Sequence, residues 1–192
     1  MPTETFSIEM NMTEIGPAAK GTNPKEVIVA IAPAFGKDMN KTIVGVDHIS
    51  VLREILSGIE EQGAVPRVIR SMSTADLAFM GHGAAKLSGS GIAIGLQSRG
   101  TTVIHQRDLD PLSNFELFPQ SPLITLETYR MIGRNAASYA LGESPNPVPV
   151  VNDQMARPKY QAAAALLYLK ECKSLVKNKK PMELKVEFSI KA

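Results

Sequence analysis

Residues 26–71, EVIVAIAPAFGKDMNKTIVGVDHISVLREILSGIEEQGAVPRVIRS, decide the fold. EVIVAIA, residues 26–32, is a continuous apolar, β-branched run. That is the pattern of a strand covered on both faces, as in a parallel sheet. In the later DHISVLREILSGIEEQG, Leu52, Ile55, Leu56 and Ile59 recur at i, i+3, i+4 and i+7 and make one apolar helical stripe. Asp47 or Ser50 supplies a cap at its start and Gly63 a stop at its end. AVPRVIRS then reads as a short strand around residues 65–71. Strand, helix, strand at this spacing is a βαβ unit, with a right-handed crossover expected.

Toward the C-terminus, TADLAFMGHGAAKLSG (74–89) reads either as a short helix or as a strand followed by a helix. GIAIGLQS (91–98) and TTVIHQ (101–106) read as two short strands around Gly100, so residues 26–106 form a small α/β layer structure. The character then changes, because seven of the 13 prolines lie between Pro111 and Pro158. DPLSN, FPQSP and SPNPVPV are excluded from a sheet interior, since each proline removes a donor and fixes φ. Long connections of this kind either wrap a partner or form surface loops. Within the stretch, TLETYRMIGRNAASYALG (125–142) has helical spacing at Leu126, Tyr129, Ile132, Ala136 and Tyr139. A second helix runs from residue 157 in RPKYQAAAALLYLKECKSLVKNKK, with Pro158 tolerated in its first turn and basic residues at its end. MELKVEFSI (182–190) alternates Leu184, Val186, Phe188 and Ile190 as a half-buried strand does. Residues 1–25 are polar and broken by Gly16, Pro17, Gly21 and Pro24; they read as an arm that orders only against something else. The expected fold is α/β: a single domain over residues 26–192 with a Rossmann-like, mostly parallel sheet, flanking helices, proline-rich extended segments and a C-terminal helix and strand.

Composition narrows the function. The 21 basic and 19 acidic side chains leave a net charge of +2 among 192 residues, which gives no electrostatic case for nucleic acid or an anionic membrane. Aromatics are 5% and Trp is absent, so base-stacking platforms are not expected. The N-terminal MPTETFSIEMNMTEIG carries Glu4, Glu9 and Glu14 and has no apolar core, unlike a secretory signal. The longest nearly apolar run, Val27 to Phe35, falls well short of the about 20 residues a spanning helix needs. Cys172 is the only cysteine, which excludes an internal disulfide and a multi-cysteine zinc site and fits a reducing cytoplasm.

Catalytic motifs are sparse. LSGSGIAIGLQSRG places Gly89, Gly91, Gly95 and Gly100 so that backbone amides can approach a phosphate or a flat ligand. Its GxGxxxG spacing precedes a strand instead of a helix, so it fails the dinucleotide fingerprint and reads as turns and close packing. His48, His82 and His105 are dispersed, and His105 with Asp108 and Asp110 reads as a plain loop in preference to a cation site. Cys172 sits inside a predicted helix and reads as a buried thiol. No GxSxG elbow is present. Arg157, at a helix start near Asn152 and Asp153, can present its fork to an amide or phosphate oxygen or form a solvent ion pair. No catalytic residue and no metal ligand is expected; the residues alone describe an α/β small-molecule-binding or partner subunit.

Four longer strings are specific: VIVAIAPAFG (27–36), KLSGSGIAIGLQSRGTTVIHQ (86–106), PLSNFELFPQSPLITLETYRMIGRNAASYA (111–140) and NDQMARPKYQ (152–161). Together they closely resemble the medium, or beta, subunit of adenosylcobalamin-dependent diol and glycerol dehydratases, from about residue 26 to the C-terminus. The resemblance implies a subunit of a heterohexameric lyase with two large, two medium and two small subunits. The large subunit would hold the diol, a potassium or calcium ion and the radical chemistry that turns a 1,2-diol into an aldehyde. The medium subunit would cover the lower face of the corrin, with the dimethylbenzimidazole base still on cobalt. The DxHxxG signature of histidine-on cobalamin is missing: Asp47 and His48 are adjacent in VDHISV.

Carried over by motif, the cobalamin-binding residues are Asp76, Arg99, the Leu112 backbone, Asn114, Arg157 and Tyr160. Asp76 would accept from a peripheral amide, Arg99 and Arg157 would donate to amide oxygens or the nucleotide phosphate, and Asn114 can do both. The sequence departs from the family at two places: Arg99 replaces the usual lysine, and Ala164 stands where some members have a serine. The resemblance also implies a reactivating factor as a partner, and a cytoplasmic location, free or inside a bacterial microcompartment. A competing resemblance is to the small subunit of the dehydratase-reactivating factor. That protein has a related fold but is much shorter and lacks counterparts of the segments around TLETYRMIGRNAASYA and NDQMARPKYQ.

Overall fold

The computed structural model describes residues 7–191; the first six residues of the polar arm lie outside the described residues. Seven strands form one sheet: β1 (Ser7–Pro17), β2 (Glu26–Ile31), β3 (Val65–Arg70), β4 (Ile92–Leu96), β5 (Thr102–Gln106), β6 (Glu116–Phe118) and β7 (Met182–Lys191). Their spatial order is β1-β7-β3-β2-β4-β5-β6. The helices are α1 (His48–Glu61), α2 (Leu77–Leu87), α3 (Leu126–Ala140) and α4 (Ala156–Cys172), with a 3-10 turn at Ser121–Leu123.

The deciding stretch folds as expected. β2 and β3 are parallel, joined through α1, and β4 lies parallel on the other side of β2. All six residues of β2 are buried, because helices cover both its faces. Val27, Val29 and Ile31 pack with Leu52 and Ile55 of α1 and Ile132 of α3. Ile28 and Ala30 face the other way, toward Ala84 and Ala85 of α2. The result is a three-layer α/β/α domain. The ambiguous stretch around residue 77 is the helix α2, and Gly63, at φ +89°, ends α1.

The α/β class holds, but the expected mostly parallel sheet is corrected. Only β3, β2 and β4 run parallel, and the remaining four of the six pairings are antiparallel. A Rossmann-like arrangement is therefore not what the whole sheet adopts. The cause is connection length. A parallel partner needs a crossover of about a dozen residues, whereas β4 and β5 are joined by the tight turn around Ser98–Gly100. At the far edge, β7 returns antiparallel against β3, and β1 pairs along nearly the whole of β7. The described part of the N-terminal arm is thus ordered against the chain's own C-terminal strand.

The proline-rich segments lie outside the sheet interior; the stretch they belong to contributes only β6, a three-residue strand at the sheet's edge. The buried Glu116 carboxylate on β6 anchors the run that follows α3, accepting from Asn135 Nδ2, the Tyr139 hydroxyl (3.0 Å) and the Val148 amide (2.7 Å). Burial and that hydrogen bond push the Tyr139 hydroxyl up to about 12. Further along, the Gln120 side chain brackets the Asp153 backbone, donating to its carbonyl and accepting from its amide. This strap delivers the chain to the start of α4.

Candidate functional site

α4 stands away from the three layers. Only Ala156 at its start and Glu171 near its end are buried. The gap between α4, the first turn of α2 and the outer strands is a cavity of about 840 Å³. Val103 and His105 of β5 and Leu117 of β6 form part of its wall. All six residues expected to contact a cofactor line this cavity: Asp76, Arg99, Leu112, Asn114, Arg157 and Tyr160. They come from separate segments, and the fold brings them together.

Each is positioned by local chemistry. Asp76 is the N-cap of α2; its Oδ1 accepts from the amides of Ala78 (3.0 Å) and Phe79 (3.2 Å). Both bonds use Oδ1, which leaves Oδ2 for a ligand donor. Arg99 sits in the β4–β5 turn, where Gly100 takes φ +105°. Its Nε donates to Gln97 Oε1 (3.0 Å) and Thr101 Oγ1 (3.2 Å). Gln97 is itself held by a bond from its Nε2 to the Ala75 carbonyl. The Arg99 guanidinium is thus aimed by its Nε edge, and its terminal nitrogens remain for an acceptor. Burial pushes its pKa down from the ordinary arginine value, so an acceptor there relieves a desolvated cation.

Leu112 and Asn114 are exposed on the loop between β5 and β6, Arg157 is exposed on the first turn of α4, and Tyr160 is half-buried one turn later. Lys159, beside Tyr160, has its ammonium 5.3 Å from that ring.

The lining carries two guanidiniums, Arg99 and Arg157, against one carboxylate, Asp76. That balance suits a ligand rich in carbonyl or phosphate oxygens with some amide donors. His105, also in the lining, has Nδ1 2.8 Å from the Gln106 carbonyl and Nε2 3.2 Å from the Pro111 carbonyl. Among the described residues no group of three or more His, Cys, Asp or Glu is placed to hold a metal ion. The glycine-rich stretch serves packing: a Cβ on Gly95 would press on the backbone of Leu77 and Gly81 in α2.

Three residues escaped the reading of the sequence. Gln97 orients Arg99. Tyr168 lines the cavity, with Arg99 5.8 Å from its ring centroid. Glu171 is 3% exposed and ties α4 to the body. The spacing of Arg157, Tyr160, Ala164 and Tyr168, one face of a helix, was the available signal for Tyr168.

Comparison with solved structures gives a chain described as "Glycerol dehydratase reactivase", at TM-score 0.51 and 19% identity, covering 62% of this chain and 94% of that one. At that identity the match shows a common fold. A diol dehydratase-reactivating factor complexed with ADP and Mg2+ aligns at TM-score 0.46 and 21% identity, covering 71% of this chain and 98% of that one. The profile of the family described as dehydratase medium subunit matches residues 32–146, more than half the chain and the segment that carries Asp76, Arg99, Leu112 and Asn114. With the cavity those residues line, this match identifies the chain as a member of the dehydratase medium subunit family.

Proposed function

We propose that this chain is the medium subunit of a coenzyme-B12-dependent glycerol or propanediol dehydratase and holds adenosylcobalamin together with the large subunit. The observation that carries the reading is the convergence of Asp76, Arg99, Leu112, Asn114, Arg157 and Tyr160 on one cavity. The donor set fits the group. Arg99 and Arg157 match carbonyl and phosphate oxygens, Asp76 Oδ2 matches an amide donor, and Asn114 matches either.

When bound, adenosylcobalamin supplies the radical chemistry by which a 1,2-diol loses water to give an aldehyde. This chain contributes binding and orientation. Arg99 presents a pre-aimed cation from the sheet side, Arg157 and Tyr160 close from the helix side, and Leu117 and Val103 keep the wall apolar. The enzyme would assemble with large and small subunits, two of each, and be served by a reactivating factor. The potassium or calcium ion would lie in the large subunit.

A reactivase small subunit is the second reading, favoured by the structural likeness above. The family match weighs against it, as does length: the reactivase chain is covered almost completely while over a third of this chain has no counterpart in it.

The test is co-expression with large and small subunits, followed by adenosylcobalamin and a 1,2-diol. Aldehyde should appear only with all three chains. Arg157→Ala and Asp76→Asn should each weaken cobalamin binding about tenfold, the worth of one charge-assisted hydrogen bond, while KM for the diol stays unchanged. No complex and no aldehyde with any cognate pair defeats the reading.

A further inference from the structure

We infer that Glu171 is a positioning residue for the cavity: its buried carboxylate fixes α4 against the Ser98–Arg99 turn and so sets the spacing between Arg99 on the sheet and Arg157 and Tyr160 on the helix. Between its two ends α4 has no buried residue; residues 157–170 are all half-buried or exposed. At its start it is seated by Ala156, close to the 3-10 turn Ser121–Leu123. At its other end the buried anchor within the helix is one side chain; just beyond it the Ser174 hydroxyl donates to Asp38 (2.6 Å) and the Val176 amide to the Met72 carbonyl (2.8 Å). Glu171 Oε1 accepts from the Ala34 amide (2.8 Å) and the Ser98 hydroxyl (2.9 Å), and Oε2 accepts from the Ser98 amide (3.0 Å).

A carboxylate that is 3% exposed and holds three donors is fixed in position. Its partners are informative. Ala34 lies in the loop leaving β2, and Ser98 is the neighbour of Arg99 in the β4–β5 turn. The same turn therefore aims Arg99 and receives the helix that carries the opposing wall. Tyr168, one turn before Glu171, lies 5.8 Å from the Arg99 guanidinium across the cavity. The link reaches further back: the Ser98 carbonyl accepts from His48 Nε2 at 2.7 Å, which steadies the turn from the α1 side.

That the cavity's ligand is cobalamin rests on the proposed function; that Glu171 sets the cavity's width rests on the geometry alone. The test is therefore double. In Glu171→Gln the shape is kept, but an NH2 group replaces one acceptor and meets a donor. Hydrogen exchange on the full chain, alone and assembled with its partner subunits, should show α4 amides exchanging about tenfold faster while β2, β4 and α1 stay unchanged. Cyanocobalamin, used as the probe, should bind about tenfold more weakly.

A double-mutant cycle supplies a readout that a merely structural role would not move. The cost of Arg157→Ala should shrink in the Glu171→Gln background, because the helix no longer holds that arginine in place. The cost of Asp76→Asn, on the sheet side, should remain additive. If Glu171→Gln does not fold, Ser98→Ala removes one of the three donors and should give the same pattern at about threefold. Unchanged α4 exchange, equal acceleration across the whole chain, or additivity for Arg157→Ala overturns the inference. Selective loosening of α4 in a protein that binds no cobalamin upholds it and removes the cofactor reading instead.

Discussion

His48 shows how a single side chain ties the sequence to a pH response. It is fully buried, its ring stacked on Phe35 at 3.8 Å. Nδ1 accepts from the Gly36 amide and Nε2 donates to the Ser98 carbonyl, a pattern that only the neutral ring satisfies. Burial pushes its pKa down from 6.5 to about 4, against smaller opposing effects from the Ser98 carbonyl and Asp47. As pH falls, the unfolded chain takes up the proton first. The stability this ring contributes is complete above about pH 6.5 and is lost progressively down to pH 4, up to about 3 kcal/mol. Urea unfolding at stepped pH should show that slope in the native protein and a flatter one in His48→Gln. An equal slope in both would place the titration elsewhere. The sequence marked this histidine only as one of three that are scattered; its role comes from Phe35, Gly36 and Ser98 meeting around it.

At the scale of elements, the apolar stripe of α1 was legible, but its partner was not. α1 crosses α3 through two glycines. A Cβ on Gly58 would meet the Arg130 carbonyl, and a Cβ on Gly133 would meet the Ile55 carbonyl, both well inside contact distance. Above the crossing, Arg130 and Arg134 of α3 both bond Glu61 of α1, and Arg130 also bonds Glu54. Those bonds hold the Glu61 carboxyl down to about 2. The ion pairs are solvent-facing and carry less of the crossing's stability than its close approach does. Gly133→Ala should therefore destabilise the protein by about 1–3 kcal/mol, because neither backbone can give way. A denaturation midpoint equal to that of the native protein would mean the helices can separate without cost. Nothing in LREILSG or TYRMIG pairs these glycines, since the contact joins residues far apart in the chain.

For the whole molecule, the edge strand is the informative part. Residues 1–25 read as a polar arm, yet Met10 and Met12 pack on the main core and Glu14 lies 3.9 Å from the buried Arg70. The Arg70 Nη1 already donates to the Pro33 and Phe35 carbonyls, at the C-terminal end of the strand that begins the βαβ unit. Deleting residues 1–17 would uncover β7 along its length and take Glu14 away from a buried cation. The truncated chain should elute as aggregates in size-exclusion chromatography at concentrations where the full chain does not, and unfold at a lower temperature. A monodisperse truncated protein with an unchanged melting temperature would show that β1 is dispensable. Among the described residues no helix is long and apolar enough to cross a membrane.

By itself the sequence determined most of the secondary elements from residue 26 onward, though not the choice of helix at α2 nor the short strand β6, together with the βαβ start and the segments that carry Asp76, Arg99, Asn114 and Arg157. These are local signals: a helical stripe, an alternating strand, a proline that cannot donate, a string of motif residues. The tertiary structure decided the rest. It made the sheet mixed, because the β4–β5 turn is too short for a crossover. It paired Gly58 and Gly133 with opposing backbones. It set α4 over the outer strands and anchored its end through Glu171, whose bond to Ala34 spans 137 residues. Each of these depends on groups that meet only when distant segments are packed, and burial then sets what a carboxylate, an imidazole or a guanidinium can do there.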